Sequence, residues 1–357
     1  MTFTGRIYLM ILAMSFLALG CEKESASFSL LRAGQSFQSN NGGAAFNNKV
    51  DILFVVNDQP SMSSFQAELV ASMGSFMSIF ETKGFDFKIA VVTSAGFLAD
   101  PTLAGYSAVN VDQADFNEFD GAVHSNMPVI IPTDPNLYKN FSINAKPQKN
   151  SAGQDGRAFS SFRQALKNTR PYNAGFLRPG SYLAVIIVDN QEDFSGNGRC
   201  VGCNMNLRYA ASTLDTVTTY IDFLNTLTGT SGSTARYNVS AMTQIAKPCQ
   251  GGTTMTRIMD IVTKTNGVLG DICQANFGAS MAAISTKIAV LSTQYFLDRT
   301  PIISSINVSI NSVVIPQSST NGWSYNTSAN SIQFNGSAIP PQDSVIVVNF
   351  DPVTVQQ

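Results

Sequence analysis

Continuous apolar runs along the chain have the pattern of strands that are buried on both faces of a parallel sheet. Three such runs cover Asp51–Val56, Phe87–Val92 and Tyr182–Val188, and Tyr237–Met242 supplies a further candidate strand. A strand with one solvated face would alternate apolar and polar residues instead. The runs therefore predict a mostly parallel sheet at the centre of the fold.

Between and after these strands, apolar residues recur at the spacing of a helix face. Such stripes occupy Phe65–Phe80, Leu214–Leu227 and Met281–Leu291. Ser63, with Gln66 three residues later, is typical of a capping box at the start of the first helix. The alternation of strand and helix predicts an α/β fold, a doubly wound and mostly parallel open sheet whose ligands bind outside the carboxyl ends of the strands.

From about Ile302 the apolar period changes to two residues, which is typical of half-buried strands. Ile306, Val308 and Ile310 alternate with polar residues, and further short apolar stretches are separated by Asn, Gly, Ser and Pro clusters. We expect an α/β domain over residues 49–298, followed by a small antiparallel β-sandwich-like domain over residues 299–357.

The N-terminus resembles the signal of a bacterial lipoprotein. An apolar run, Ile7–Leu19, is short for a membrane span. It ends in Leu17–Cys21, which is similar to the lipobox whose cysteine becomes the lipidated first residue of the mature chain. The resemblance implies a signal peptide over residues 1–20, lipidation of Cys21 and an outer-membrane lipoprotein, with a plain secretory signal as the alternative. Residues 21–48 lack apolar periodicity and indicate a flexible tether.

Composition narrows the class of partner. Hydrophobic residues make up 44% of the 357 residues and charged residues only 13%, so the chain has enough apolar material for a large core under a weakly charged surface. The formal net charge is -2, and no run of Lys or Arg creates a field that would attract phosphates. We therefore exclude nucleic acid as a partner.

One segment, Val50–Met62, resembles the first strand and following loop of the von Willebrand factor type A (vWA) domain. In that family the loop reads Asp-x-Ser-x-Ser and binds a divalent cation. In this register Asn57 takes the place of the aspartate, while Gln59 and Ser61 take the places of the two serines.

A second segment, Leu183–Ser195, is similar to a later metal-site strand of bacterial vWA lipoproteins. Asn190 then replaces the metal-site aspartate, and Asp189 replaces the serine before it. The third loop of the family matches best at residues 153–156, which contain Asp155. The resemblance extends from Lys49 to the C-terminus and implies a vWA fold.

The family's metal site is degenerate in this register. Mg²⁺ and Ca²⁺ prefer anionic oxygens, whereas the amides at positions 57, 59 and 190 offer only neutral carbonyl oxygens. We therefore expect no cofactor and no metal. The alternative is a local bulge that turns Asp58 and Asp189 inward to hold a cation together with Ser61. Neighbouring side chains at a strand end point to opposite faces, which favours Asp58 and Asp189 as solvated loop charges.

We call the loops Asn57–Ser63 and Asp189–Ser195 the rim, because both follow strands at the edge where ligands are expected. The resemblance implies that the rim binds a protein or a cell-envelope component. The candidate partner-binding residues are Asn57, Asp58, Gln59, Ser61, Ser63, Asp155, Asp189 and Asn190.

Four cysteines remain besides Cys21, and an even count in an exported chain favours disulfides. Of the three pairings, Cys200 with Cys203 and Cys249 with Cys273 requires the shortest loops. A redox motif or a zinc site built on these cysteines is a weaker alternative, since only one CxxC pair is present.

No arrangement of residues indicates catalysis. His124 is the only histidine and lies in an irregular segment, where a surface position is expected. Glu192 and Asp193 are adjacent loop carboxylates, which are usually solvated. Three hypotheses remain: a binding protein that is not an enzyme, a structural subunit of the envelope, or an enzyme that uses Cys200 and Cys203 or His124.

Overall fold

The computed structural model describes the following residues, all within one compact unit: 33–37, 49–99, 125, 127–147, 156–167, 173, 175–196, 214–245, 249, 255–341 and 344–353. The strands are β1 (Ala33–Phe37), β2 (Lys49–Val56), β3 (Asp86–Thr93), β4 (Val129–Ile130), β5 (Tyr182–Val188), β6 (Tyr237–Thr243), β7 (Leu269–Asp271), β8 (Tyr295–Phe296), β9 (Asn307–Ile310), β10 (Val313–Ile315), β11 (Gly322–Asn326), β12 (Ser331–Asn335) and β13 (Ile346–Phe350). The α-helices are α1 (Ser63–Ala71), α2 (Met73–Lys83), α3 (Leu137–Asn144), α4 (Ala158–Leu166), α5 (Val217–Thr228), α6 (Thr256–Lys264) and α7 (Phe277–Ser292).

A six-stranded, mostly parallel sheet forms the centre of the fold. Its strand order is β4-β3-β2-β5-β6-β7, and only the edge strand β4 is antiparallel to its neighbour. Counted along the chain from β2, this is the order 3-2-1-4-5-6 of a doubly wound sheet. The predicted fold class is confirmed to this extent: an α/β part with a mostly parallel sheet, and small antiparallel sheets after it.

Alternate residues of each central strand face two separate apolar clusters. In β2, Ile52 and Phe54 pack into the cluster that contains α1, α2 and α7, whereas Leu53 and Val55 pack into the cluster that contains α4, α5 and α6. Burial on both faces explains why β2 reads as an uninterrupted apolar run. The two layers of helices hold the strand ends, and therefore the rim, in a fixed register.

The C-terminal residues form two antiparallel sheets, with orders β1-β13-β9-β10 and β11-β12-β8. The predicted alternating strands are present. The first apolar cluster continues across the expected boundary at residues 298 and 299, since Ile284 and Ile288 of α7 share it with Ile332 and Phe334 of β12. The short strand β8 precedes that boundary, yet it pairs with β12.

Part of the stretch expected to be a tether is a strand. β1 lies within residues 21–48 and pairs along its whole length with β13, from Ala33 opposite Phe350 to Phe37 opposite Ile346. A strand ladder uses backbone groups that every non-proline residue carries, so a segment without apolar periodicity can still form one.

Two details of the first helical stretch differ from the prediction. The apolar stripe over residues 65–80 belongs to two helices, α1 and α2, which meet at Ser72. The capping-box prediction is wrong, because Ser63 is the first residue of α1, Met62 occupies the N-cap, and no side chain caps the helix.

No helix in the described part of the chain has both the length and the apolar character that crossing a membrane requires.

Candidate functional site

The rim lies where the winding of the sheet reverses. β2 and β5 are parallel neighbours in the middle of the strand order, and their connections leave toward opposite edges of the sheet. The backbone N–H of Asn57 donates to Val188 O at 3.0 Å, so the two loops start side by side. In doubly wound sheets this reversal point, at the carboxyl ends of the strands, is where ligands bind.

The side chain of Asn57 joins the two loops. It is fully buried, and its Nδ2 donates to Asp189 Oδ1 at 2.6 Å and to Asn190 Oδ1 at 3.5 Å. Its Oδ1 accepts the backbone N–H of Gln59 at 2.8 Å. A backbone N–H can only donate, so this contact sets the orientation of the amide and turns its NH₂ group toward Asp189.

Further side chains of the rim pair across the same gap. The amides of Gln59 and Gln191 exchange two hydrogen bonds, of 3.0 Å and 2.8 Å. Asn190 Nδ2 donates to Ser61 Oγ at 3.2 Å, and Gln244 Nε2 from the end of β6 donates to the carbonyl oxygen of Asn190 at 2.7 Å. The two loops are therefore tied together by neutral side chains.

Gln66 has a different role from the one that its sequence position predicts. Its Nε2 donates to the backbone carbonyl oxygen of Asn57 at 2.8 Å, and the side chain is buried. The residue thus attaches the first turns of α1 to the end of β2 instead of capping the helix. This contact spans nine residues, beyond the three-residue spacing on which a capping box depends.

The expectation that Asp58 and Asp189 are solvated is wrong. Asp58 is 8% exposed and Asp189 is 1% exposed. Asp189 accepts hydrogen bonds on Oδ1 from Asn57 Nδ2 and from the backbone N–H of Gln191, the latter at 2.8 Å. Asp58 and Asp189 lie beyond the last residues of β2 and β5, so the alternation of faces within a strand does not extend to them.

Burial also changes the acidity of Asp189. Loss of hydration raises its pKa from 3.8 to about 7, and the carboxylates of Asp193 and Asp58 add to the increase. The hydrogen bonds from Asn57 and Gln191 act in the opposite direction, because they stabilise the ionised form.

Glu192 and Asp193 are likewise buried, contrary to the expectation of solvated loop charges. Glu192 Oε2 accepts the hydroxyl of Thr256 at 2.8 Å and the backbone N–H of Arg257 at 3.1 Å. These donors belong to the first turn of α6, whose N–H groups have no partner within the helix. The carboxylate of Glu192 is therefore a cap for α6, in the position that the helix dipole favours for a negative charge.

Asp193 makes the corresponding contacts with α4. Its Oδ1 accepts the backbone N–H of Phe159 at 3.0 Å and the hydroxyl of Ser195 at 2.8 Å. Its Oδ2 lies 3.2 Å from Arg257 Nη2 in a largely buried ion pair. Burial raises the pKa of Asp193, and the positive charge of Arg257 opposes that rise. The second rim loop thus supplies hydrogen-bond acceptors to the first turns of two helices: Glu192 to α6 and Asp193 to α4.

A cleft of about 450 Å³ opens beside the first rim loop. Asp58, Gln59 and Ser63 line it together with Gln66 and Lys146. Ser61 and Ser63 are exposed, and Gln59 and Gln191 are partly exposed. These are the rim positions that a partner can touch, whereas Asn57 and Asp189 lie beneath them.

The disulfide between Cys249 and Cys273 is confirmed, with Cα atoms 5.5 Å apart. Cys21, Cys200, Cys203, His124 and Asp155 lie outside the described residues. Of the third-loop segment only Gly156 is described, and it lies against the rim: a Cβ atom built there would be 3.5 Å from Asp189 Oδ2 and 3.4 Å from Gln191 Oε1.

The sequence did not single out several residues that organise the site. Gln191, Gln244 and Arg257 carry no motif. The one sequence feature that could have indicated Gln191 was its position next to Asn190. Arg257 pairs with Asp193, which lies 64 residues away along the chain, so no local pattern indicates its role.

Among the described residues, no group of three or more His, Cys, Asp or Glu side chains is placed to hold a metal ion. Both polar atoms of the Asn57 amide are bonded to protein groups, as are the rim carboxylates of Asp189, Glu192 and Asp193. The buried part of the rim is therefore a network of hydrogen bonds within the protein.

No protein-family model and no curated protein sequence matches the chain. Among solved structures, the open conformation of the pilus adhesin SpaC from Lactobacillus rhamnosus GG is similar, with a TM-score of 0.39, 11% identity, and coverage of 85% of this chain and 38% of SpaC. Proximal thread matrix protein 1 from the mussel byssus has a TM-score of 0.36 at 10% identity, covering 75% of this chain and 52% of that protein. The pilus adhesin RrgA from Streptococcus pneumoniae has a TM-score of 0.32 at 6% identity, covering 89% of this chain and 57% of RrgA. This chain thus spans 38% to 57% of the length of these structures.

Proposed function

We propose that this chain is a vWA-like, lipid-anchored protein of the bacterial cell envelope that binds a protein or envelope partner through the rim, without catalysis. The observation that carries the proposal is the position of the rim: two loops meet at the reversal point of a doubly wound sheet and present amide and hydroxyl groups to solvent. Such groups donate and accept hydrogen bonds without adding net charge.

Binding is proposed to be independent of metal. A hard cation at the position of the family's site would have to displace the NH₂ group of Asn57, which already donates to Asp189. The Oδ1 atom of Asn57 is used by Gln59. A cation would therefore gain one buried carboxylate and lose the hydrogen bonds that hold the two loops together.

The chemistry of the rim also favours binding over catalysis. Its hydroxyl nearest to a carboxylate is that of Ser195, which donates to Asp193 at 2.8 Å. Ser195 is fully buried and also accepts the backbone N–H of Ser160 at 2.8 Å. A substrate has no access to this hydroxyl, and the contacts of Asp193 serve the start of α4.

A cation-dependent adhesin that uses Asp58, Asp189 and Ser61 is the second candidate. One observation favours it: the negative charge of Asp58 contributes to the raised pKa of Asp189, so the two carboxylates lie within electrostatic reach of each other. A passive structural subunit of the envelope is the third candidate, and it predicts no partner that depends on the rim.

The test compares two identical substitutions, one at the rim and one in the C-terminal β region. Ser63→Arg adds a long cation to the exposed rim, and Ser304→Arg adds the same side chain at an exposed position away from the rim loops. Neither serine side chain has a hydrogen-bond partner among the described residues. Full-length chains carrying a C-terminal tag are used to capture partners from envelope extracts with EDTA present.

We expect a partner that is enriched by the native chain and by Ser304→Arg but lost with Ser63→Arg. Equal capture by all three chains would contradict binding through the rim. Capture that disappears in EDTA would favour the cation-dependent adhesin. Cys21→Ala tests the anchor, because it should abolish labelling by a fatty-acid probe.

A further inference from the structure

A second concave site lies at the opposite edge of the six-stranded sheet. A cavity of about 330 Å³ is lined by α5, the amino ends of β5 and β6, the ends of α6 and α7, and the hairpin of β11 and β12. It is separate from the rim, which lies at the carboxyl ends of the same strands. Its volume falls within the range that small-ligand sites occupy.

Tyr182, the first residue of β5, lines this cavity and is 1% exposed. Its hydroxyl is buried and has no hydrogen-bond partner among the described residues. Burial raises the pKa of Tyr182, so the group is a neutral hydroxyl that can both donate and accept. Folded proteins rarely leave such a group unpaired, because burying it without a partner costs free energy.

Three asparagines in the cavity wall have a protein partner for only one of the two polar groups of the side-chain amide. Asn225 Oδ1 accepts the hydroxyl of Tyr237 at 2.7 Å, and Asn266 Oδ1 accepts Lys287 Nζ at 2.8 Å. Asn326 Oδ1 accepts two backbone N–H groups of the following turn, at 3.1 Å and 3.2 Å. Each carbonyl oxygen is thus fixed by the protein. Each NH₂ group is left without a partner in the described part of the chain.

The wall carries little net charge and includes apolar surface. Among the described residues that line it, Lys264 is the one cation, and its Nζ is paired with Asp260 at 2.7 Å. None of these lining residues carries a carboxylate. Ile221 and Leu291 contribute aliphatic surface between the amides, beside the rings of Tyr182 and Tyr237. A complementary ligand is therefore uncharged, carries several oxygen acceptors and hydroxyls, and has a face of C–H groups.

We propose that this cavity binds a neutral saccharide of one or two rings. Vicinal hydroxyls accept from the asparagine NH₂ groups, and the C–H face of the ring packs on the apolar side chains. The proposal is independent of the rim and holds whether or not the rim binds a partner.

The experiment uses saturation-transfer NMR and calorimetric titration of the full chain with four probes: glucose, N-acetylglucosamine, maltose and chitobiose. Glucuronate is the charged comparison. Asn225→Asp and Asn326→Asp each keep the acceptor oxygen that the protein uses and replace the NH₂ group. The matched control is Asn321→Asp, the same change at an asparagine whose Oδ1 accepts the backbone N–H of Ser337 and which does not line the cavity.

We expect at least one neutral probe to bind the native chain and Asn321→Asp equally. Asn225→Asp and Asn326→Asp should each weaken that binding about tenfold, while both variants keep the native circular dichroism spectrum. Absence of binding by all four probes would overturn the proposal. So would equal binding by all variants, or tighter binding of glucuronate than of any neutral sugar.

Discussion

At the carboxyl edge of the six-stranded sheet, most polar side chains of the rim are bonded to one another or to helix starts; at the amino edge, several polar side chains have a protein partner for only one of their polar groups, or for none. Asn57, Asp189 and Asp193 each have two or more protein partners. In the cavity, the Tyr182 hydroxyl has no partner among the described residues. Buried polar groups are therefore satisfied at one edge and left unsatisfied at the other. Counting the partners of each group separates the two.

The difference should be largest at Asp193, whose carboxylate serves Phe159, Ser195 and Arg257 at once. Asp193→Ala leaves Arg257 and two N–H groups without their acceptor, and should lower the free energy of unfolding by about 3–5 kcal/mol. Urea titration measures this loss. In the control, Asp260→Ala removes an exposed pair with Lys264 and should change stability by less than about 1 kcal/mol. Losses of equal size would show that the rim network is not structural.

A second test converts the closed network into a cation site. The triple variant Asn57→Asp, Gln59→Ser, Asn190→Asp places a carboxylate where an amide now contacts Asp189 at 2.6 Å. Without metal it should be less stable than the native chain, because the new carboxylates at positions 57 and 190 repel each other and Asp189. At a hundredfold excess of Mg²⁺ or Mn²⁺ over Kd, binding adds about 2.7 kcal/mol.

The native chain should show no such stabilisation by metal in thermal unfolding. A strong response of the native chain that Asp58→Asn or Asp189→Asn abolishes would contradict metal-free binding. It would support the cation-dependent adhesin instead.

The raised pKa of Asp189 predicts a specific pH dependence. Between pH 3.8 and about 7 the native state keeps a proton that the unfolded chain has released, so stability falls as pH rises through this window. The slope from this one group is up to about 1.4 kcal/mol per pH unit. Asp189→Asn keeps an Oδ1 acceptor for Asn57 and Gln191 and should remove that slope.

Urea titrations at pH 5 and pH 7.5 would measure the change in the free energy of unfolding between the two pH values, first for the native chain and then for Asp189→Asn. The effect of Asp189 is the difference between these two changes. Parallel pH profiles for the native chain and Asp189→Asn would show that Asp189 is ionised throughout, and that its hydrogen bonds outweigh its burial.

The smallest effect should have the opposite sign. Tyr182→Phe removes a hydroxyl that is buried without a partner, and should stabilise the ligand-free chain by about 1 kcal/mol. Tyr237→Phe is the matched comparison, because its hydroxyl donates to Asn225 at 2.7 Å, and its loss should cost about 1 kcal/mol. Thermal unfolding of both variants distinguishes them. A destabilising Tyr182→Phe would indicate that its hydroxyl is already satisfied.

The candidate rim was partly predictable, because its loops follow recognisable strands. Asn57, Gln59, Ser61 and Asn190 do come together across β2 and β5, as their register implied. The environments of Asp189, Glu192 and Asp193 were not predictable. Glu192 and Asp193 accept hydrogen bonds from α6 and α4, whereas Asp189 accepts them from Asn57 and Gln191 of the rim itself. Adjacent carboxylates in a loop carry no local signal of such donors.

The sequence by itself determined the central strands and most of the helices. The apolar runs of β2, β3 and β5 end within two residues of the observed strands, because burial on both faces of a sheet leaves a pattern that one segment carries alone. Tertiary structure alone decided the pairing of β1 with β13 and the hydrogen bond from Gln66 to Asn57. It also decided which helices are capped by Glu192 and Asp193, and it formed the cavity at the amino edge. Each of these depends on the directional fit of a polar group with a partner from another element. The spacing of residues along the chain does not show whether such a partner exists. The hydrophobic effect is non-directional, so the composition and period of apolar residues are enough to predict which segments are buried.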